Sequence, residues 1–220
     1  MVNALQMHKL LPAWVRGGLA AAFILSGAPG QFRHCAGGGN HTRSAGRGHS
    51  TIRPSPGLDL MTDNSREFRN ALGCFATGVT VVTTRRPDGA PVGITANSFS
   101  SVSLDPPLVL WCIDKSSDCF DDFQAADRFA INVLAADDMN VSNDMARTGR
   151  DGVGDHGFSD GPVLGLPVLE RALAHFECEV EHRHAGGDHV ILVGRVKGMQ
   201  SRQDGDPLLY FRGKYAAITG

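Results

Sequence analysis

The pattern that most restricts the fold lies between Phe176 and Val196. Phe176, Cys178, Val180, His182 and His184 alternate with Glu177, Glu179, Glu181 and Arg183, the period of two that marks a strand with unlike faces. Ala185-Gly186-Gly187-Asp188 interrupts it with turn residues, and His189–Val196 returns as a mostly apolar run, which together read as a hairpin. The same grammar recurs upstream. Val79–Thr84 is β-branched throughout, Arg86-Pro87-Asp88-Gly89 is a turn whose glycine supplies a positive φ, and Val92–Ser98 runs back. Leu108–Ile113 and Phe129–Leu134 add two more apolar strands. A doubly wound parallel sheet needs a crossover helix after nearly every strand, and this chain lacks them. The predicted fold is therefore mainly β, a Greek-key-like antiparallel β-barrel with a few short helices.

The chain divides near residue 60. Gly17–Ala28 follows Lys9 and Arg16 and imitates the apolar region of a secretory signal, and the residues after it are rich in Gly, Ser, His and Arg, a composition that does not support a packed core. Residues 1–60 are read as a disordered extension or the product of an upstream start, with residues 61–220, opening at Met61, as the folded domain. Asn64 with Glu67 three residues on marks a capped helix start. Phe68, Ala71, Leu72 and Phe75 then fall at i, i+3, i+4 and i+7, one apolar helical face that Gly78 is expected to end. Lys115-Ser116-Ser117-Asp118 is expected to start a second helix with a serine cap, and a polar helix is expected around Asp137–Arg147. The net charge of −2 comes with dispersed Lys and Arg, which argues against a nucleic-acid partner. No apolar run of about eighteen or more residues argues for a membrane helix. Five cysteines without a CxxC leave one unpaired, which suits reduced thiols in a cytoplasm better than a disulfide framework.

Between Gly93 and Leu110 the sequence GITANSFSSVSLDPPLVL opens as an apolar strand and turns small and polar at Thr95-Ala96-Asn97-Ser98. Such residues at a strand end leave backbone N–H groups accessible and offer hydroxyls to a planar, hydrogen-bonding ligand; an ST-rich turn satisfying its own backbone is the alternative. Together with Phe75–Thr84, Gly165-Leu166-Pro167-Val168-Leu169, Gly187-Asp188-His189 and Leu209–Tyr215, in that order along the chain, this run closely resembles the flavin reductase-like, FMN-binding split-barrel family, which includes the reductase components of two-component flavin monooxygenases.

The resemblance implies a split barrel that transfers hydride from NADH or NADPH to FMN or FAD, a homodimer, and a separate monooxygenase that receives the reduced flavin. It implies that Thr95, Ala96, Asn97 and Ser98 meet the flavin ring and ribityl chain and that Ser101 and Val102 continue that wall. Ser116, Ser117 and Cys119 are expected at the phosphate; similar proteins often carry Ser or Thr where this chain has Cys119. His189, in the Gly-Asp-His turn, is the expected nicotinamide-side residue, and part of Tyr210–Tyr215 is expected to border the flavin or the dimer partner. A non-catalytic flavin- or haem-binding carrier or sensor is the alternative from another class, and a pyridoxamine-phosphate-oxidase-like enzyme a third.

Three other patterns compete. Gly152–Gly157 matches GxGxxG literally, but a polar helix precedes it and no helix follows, so the dinucleotide fingerprint lacks its context; in the family the segment is a loop near the flavin, bringing Asp155, His156 and Phe158 into consideration at the nicotinamide. His175, Cys178, His182, His184 and His189 invite a metal reading if the hairpin sets His189 opposite His184, though no carboxylate completes the set on that face. Cys74, Cys112 and Cys119 have no paired base nearby in sequence, which places thiol catalysis low.

Overall fold

The computed structural model describes residues 65–148 and 152–218. The expectations for residues 1–60, for a start at Met61 and for the Asn64 cap lie outside the described residues. Among those described, the elements are α1 (Ser65–Leu72), β1 (Thr77–Gly78), β2 (Thr80–Arg85), β3 (Pro91–Ala96), β4 (Ser100–Leu104), β5 (Pro107–Asp114), α2 (Phe120–Ala125), β6 (Arg128–Val133), α3 (Met139–Thr148), β7 (Phe158–Asp160), β8 (Pro167–Leu169), β9 (Ala174–Gly186), β10 (His189–Ser201), β11 (Leu209–Phe211) and β12 (Lys214–Ala216). Seven strands form one sheet in the order β3-β2-β6-β9-β10-β5-β4, antiparallel at every junction. Its two edge strands are consecutive in sequence, so the sheet must curl to bring them together, as a barrel requires.

Alternation along the strands sorts the core. Val82, Ile94, Trp111, Ile113, Phe129, Ile131, Cys178 and Leu192 pack into one cluster inside the curl. Trp111 is fully buried there, edge-on to Phe123 at 4.9 Å and Phe129 at 6.0 Å between ring centroids. Each such side chain contributes roughly 1.5–3 kcal/mol by leaving water. The intervening residues of β2 serve a second cluster outside the barrel: Val81 packs with Leu134, Val141, Met145, Val153 and Leu169 beneath α3. Burial on both faces explains why β2 reads as an unbroken β-branched run rather than an alternating one. Glu177, fully buried on β9, accepts hydrogen bonds from the N–H groups of Val163 (3.0 Å) and Leu164 (2.6 Å) and so holds the loop before β8.

Both hairpin turns form as their glycines require: Gly89 has φ 86° and Gly187 has φ 69°. Several local expectations change. The first helix ends at Leu72, where Gly73 N–H reaches Arg69 O at 2.8 Å; Gly78 lies in β1 instead. The helix carries Phe68, Ala71 and Leu72 on one face but stops before Phe75, and Phe68 is 53% and Phe75 52% exposed in the single chain. The second helix begins at Phe120 behind Cys119, with no side-chain cap bond, because Ser116 and Ser117 are consumed in the turn before it. The alternation of β9 is broken once. Val180 pairs with Gly194 and His182 with Val193, leaving Glu181 as an extra residue in a bulge. Beyond it the faces exchange, so Arg183 aligns with the interior residue Leu192 while His182 and His184 turn to the outer face. Nor does His189 oppose His184; it pairs with Gly186 on β9 and Asp114 on β5, and His184 pairs with Ile191.

Candidate functional site

The polar run after Ile94 divides its side chains between the fold and the surface. Thr95 is buried on the outer face of β3 and its Oγ1 donates to Ser142 O of α3 at 2.7 Å. Ala96 is fully buried in the barrel core, its carbonyl accepting Thr80 Oγ1 at 2.7 Å. Asn97 is half-buried at the corner where β3 passes to β4. Ser98, 6% exposed, accepts Cys112 N–H at 2.9 Å and donates to Cys112 O at 3.1 Å. That pair of hydrogen bonds fastens the corner to β5. Ser101 and Val102 are exposed on β4, where the register slips between Ser101 and Ser103.

Two residues beyond Cys112, β5 ends at Asp114, buried, whose Oδ1 accepts Ser116 N–H at 2.7 Å and Ser116 Oγ at 2.8 Å. This Asx turn swings the chain so that Ser117 N–H returns to Asp114 O at 3.0 Å and Ser117 Oγ accepts Cys119 N–H at 3.3 Å. Ser116 stays exposed and Ser117 half-buried, but the Cys119 thiol is 1% exposed and faces the core beside Phe123. Cys119 therefore brings its backbone to this loop and not its side chain, a correction to the sequence reading, because the thiol is apolar enough to fill the barrel.

The same loop is laced to the β9–β10 turn. Lys115 N–H donates to Asp188 O at 2.9 Å and Lys115 Nζ to Gly187 O at 2.6 Å. His189, 5% exposed, starts β10 directly opposite Asp114, and its Nδ1 lies 2.8 Å from Asp188 Oδ1. That imidazole holds the exposed Asp188 carboxyl below its ordinary value, with the Lys115 ammonium adding to the effect. The structure thus brings together three stretches that the sequence reading treated separately: the Asn97–Ser98 corner, the Lys115–Ser117 loop and the Gly187–His189 turn, all anchored on the end of β5. Asp114 and Lys115, which bind them together, were missed; the Asp-x-Ser spacing after an apolar strand was their available signal.

The competing patterns do not assemble. Gly152–Asp155 is a short 3-10 turn between α3 and β7, not a strand-to-helix crossing. His156 is drawn away to α3, with Nε2 3.3 Å from Asp144 Oδ2 and its carbonyl accepting Arg171 Nη1 at 2.8 Å. Burial pushes the Cys112 thiol up to about 11 and Cys178 to about 12, so neither supplies a thiolate near neutrality.

The end of β5 gathers Ser117, whose hydroxyl accepts Cys119 N–H, the Lys115 ammonium, the buried His189 imidazole opposite Asp114, and the half-buried Asn97 next to Ser98. Hydroxyl and ammonium donors suit a phosphate, and the amide, the corner backbone and the imidazole suit a heteroaromatic ring; the donor set fits a flavin. An antiparallel split barrel with such a polar ligand corner is the class that the fold and the site define.

The chain belongs to the flavin reductase-like family, whose model, the flavin reductase like domain, matches residues 72–219. It is 50% identical over 159 residues to the FMN reductase (NADH) SmoA of Agrobacterium fabrum strain C58, covering 71% of this chain and 88% of that protein. Over 153 residues it is 39% identical to HsaB, the reductase subunit of a flavin-dependent monooxygenase of Rhodococcus jostii strain RHA1, covering 70% of this chain and 77% of that one. Among solved structures, the flavin reductase PheA2 matches with a TM-score of 0.64 at 40% identity, covering 70% of this chain and 98% of its own. The NADH:FAD oxidoreductase SgcE6 of Streptomyces globisporus matches with a TM-score of 0.69 at 34% identity, over 76% and 98%.

Proposed function

We propose that this chain is an NAD(P)H:flavin oxidoreductase that reduces FMN or FAD and hands the reduced flavin to a separate monooxygenase component. The observation that carries the reading is the convergence of the Asn97–Ser98 corner, the Lys115–Ser117 loop and the Gly187–His189 turn at one strand end, in a domain half identical to an FMN reductase (NADH). A bound flavin supplies the hydride acceptor for the nicotinamide. The protein's own part is to hold two planar rings in register and keep water out, work that needs no nucleophile. The Ser117 hydroxyl with the Lys115 ammonium holds the phosphate, and Ser116, whose own proton goes to Asp114 Oδ1, shapes the loop around it. The backbone from Thr95 to Ser98 and the Asn97 amide border the ring and ribityl chain, while the Thr95, Ala96 and Ser98 side chains serve the barrel. Ser101 and Val102 extend the wall, and His189, its ring held by Asp188, sits on the nicotinamide side.

The same reading makes residues 1–60 dispensable, places the protein in the cytoplasm and makes it a homodimer. Support for the last comes from α1, where Phe68 stays half exposed, and from the edge strand β4 with Val102 46% and Leu104 95% exposed. Among the described residues no helix is long and apolar enough to cross a membrane.

Purified protein mixed with NADH or NADPH is expected to oxidise it only when FMN, FAD or riboflavin is added. Tight flavin binding without nicotinamide oxidation would establish the non-catalytic carrier instead.

A further inference from the structure

The closing segment Tyr210–Tyr215 has no part in the site as described, yet one of its side chains reaches back toward the corner. Tyr215, on β12, has its hydroxyl 2.8 Å from Ser142 Oγ and donates to Asn143 Oδ1 at 3.1 Å. A phenol carries one proton, so with that proton on Asn143 the Ser142 hydroxyl is the donor to Tyr215. Ser142 is fully buried, and its carbonyl is the acceptor of Thr95 Oγ1 at 2.7 Å. Two hydrogen bonds therefore meet at Ser142, one on its side chain and one on its carbonyl, and through that residue of α3 they tie the C-terminal hairpin to β3 two residues before Asn97.

The anchor matters because β3 is an edge strand, paired on one side only, with β2. Its other support comes from α3 and the turn that follows it: a Cβ on Gly93 would lie 3.1 Å from Met145 Sδ of α3 and 2.9 Å from Val153 Cγ2 of the Gly152–Asp155 turn. The Tyr215 ring is itself seated, edge-on to Tyr210 at 5.7 Å in the cluster beneath α3. Seating α3 thus seats the end of β3.

We propose that Tyr215, acting through Ser142 and Thr95, is a positioning residue that sets the Asn97–Ser98 corner for flavin, an inference that rests on the reading of that corner as the flavin site. Tyr215 touches neither ring; it fixes the backbone that does, and small displacements of such a backbone are costly to binding.

The test uses the full-length protein with FMN as the probe. Tyr215→Phe keeps the ring and removes the link, and is expected to raise the FMN dissociation constant about three- to tenfold, the scale of one hydrogen bond. The KM for NADH and kcat at saturating FMN are expected to hold, while the thermal midpoint falls by a few degrees because the fully buried Ser142 hydroxyl loses a partner. Thr95→Val is expected to act in the same direction, and the double variant to be no worse than the poorer single, because both cut one chain. If Thr95→Val fails to fold, Thr95→Ala replaces it in the pair, since it removes the same bond to the Ser142 carbonyl. Tyr210→Phe, outside the chain of bonds, is expected to bind FMN as the parent does. The proposal is overturned if Tyr215→Phe binds FMN normally while Asn97→Ala weakens it, or if the paired effects simply multiply. Should Asn97→Ala also bind FMN normally, the corner is not the flavin site, and that reading falls together with the proposal.

Discussion

Ser98→Ala separates what the Ser98 hydroxyl does for the barrel from what it does for a ligand. The hydroxyl satisfies both backbone groups of Cys112, at 2.9 and 3.1 Å, in a place where Ser98 is 6% and Cys112 7% exposed. Alanine fits the space but leaves a buried N–H and a buried carbonyl without that partner. Each such group costs about 1–3 kcal/mol; some water entry at the corner brings the pair to about 2–4 kcal/mol. With a urea dependence of about 2 kcal/mol per molar, the unfolding midpoint should fall by roughly 1–2 M. The assay is equilibrium urea unfolding at a fixed protein concentration, read by far-UV circular dichroism and by tryptophan fluorescence, since Trp111 loses its fully buried setting when the barrel opens. FMN affinity, measured in parallel without urea, should weaken less than tenfold. An unchanged midpoint with a far larger loss of FMN affinity would refute the reasoning, because the hydroxyl would then face the ligand rather than β5.

His189→Ala is expected to slow nicotinamide-dependent flavin reduction about tenfold in rapid mixing with excess flavin, on the scale of a kcal/mol or so, while flavin affinity stays close to the parent; loss of flavin affinity with a normal reduction rate would move His189 into the flavin pocket. Because His189 holds the Asp188 carboxyl below its ordinary value of 3.8, this contribution is present above that value and lost as pH falls through the lower folded one; acid unfolding of His189→Ala should lack that component. Gly194→Ala should lower stability by about 1–3 kcal/mol or more, since the new Cβ would overlap the Phe129 ring and lie 2.9 Å from Cys178 Cβ, and a thermal scan reads the drop directly. Peptide mapping after brief iodoacetamide treatment at neutral pH should find Cys74 labelled, being exposed, and Cys112, Cys119 and Cys178 protected. Unfolded thiols ionise near 9.0 whereas Cys112 and Cys178 are raised to about 11 and about 12, so stability present below pH 9 should decline as pH rises beyond it.

Much of the architecture was legible in the sequence because it rests on short-range physics. The β-branched run Val79–Thr84, the alternation from Phe176 and the turn glycines Gly89 and Gly187 each act within a few residues, and the strands and hairpins formed where those signals stand. Family membership was legible for a related reason, since its motifs are contiguous words such as Thr95-Ala96-Asn97-Ser98. The allegiance of individual side chains was not. Ser98 finds its partner 14 residues away and Thr95 finds its own 47 away, and a hydroxyl looks the same in sequence whether it turns to a sheet, a helix or a ligand. One extra residue at Glu181 was enough to carry His182 and His184 to the face opposite the one their spacing implied, because a period of two has no memory beyond a bulge. The inward turn of Cys119 and the exposure of Phe68 were likewise decided by what the folded chain places around them. Local preference determined where this chain bends and extends; only tertiary packing decided which atoms remain to meet another molecule.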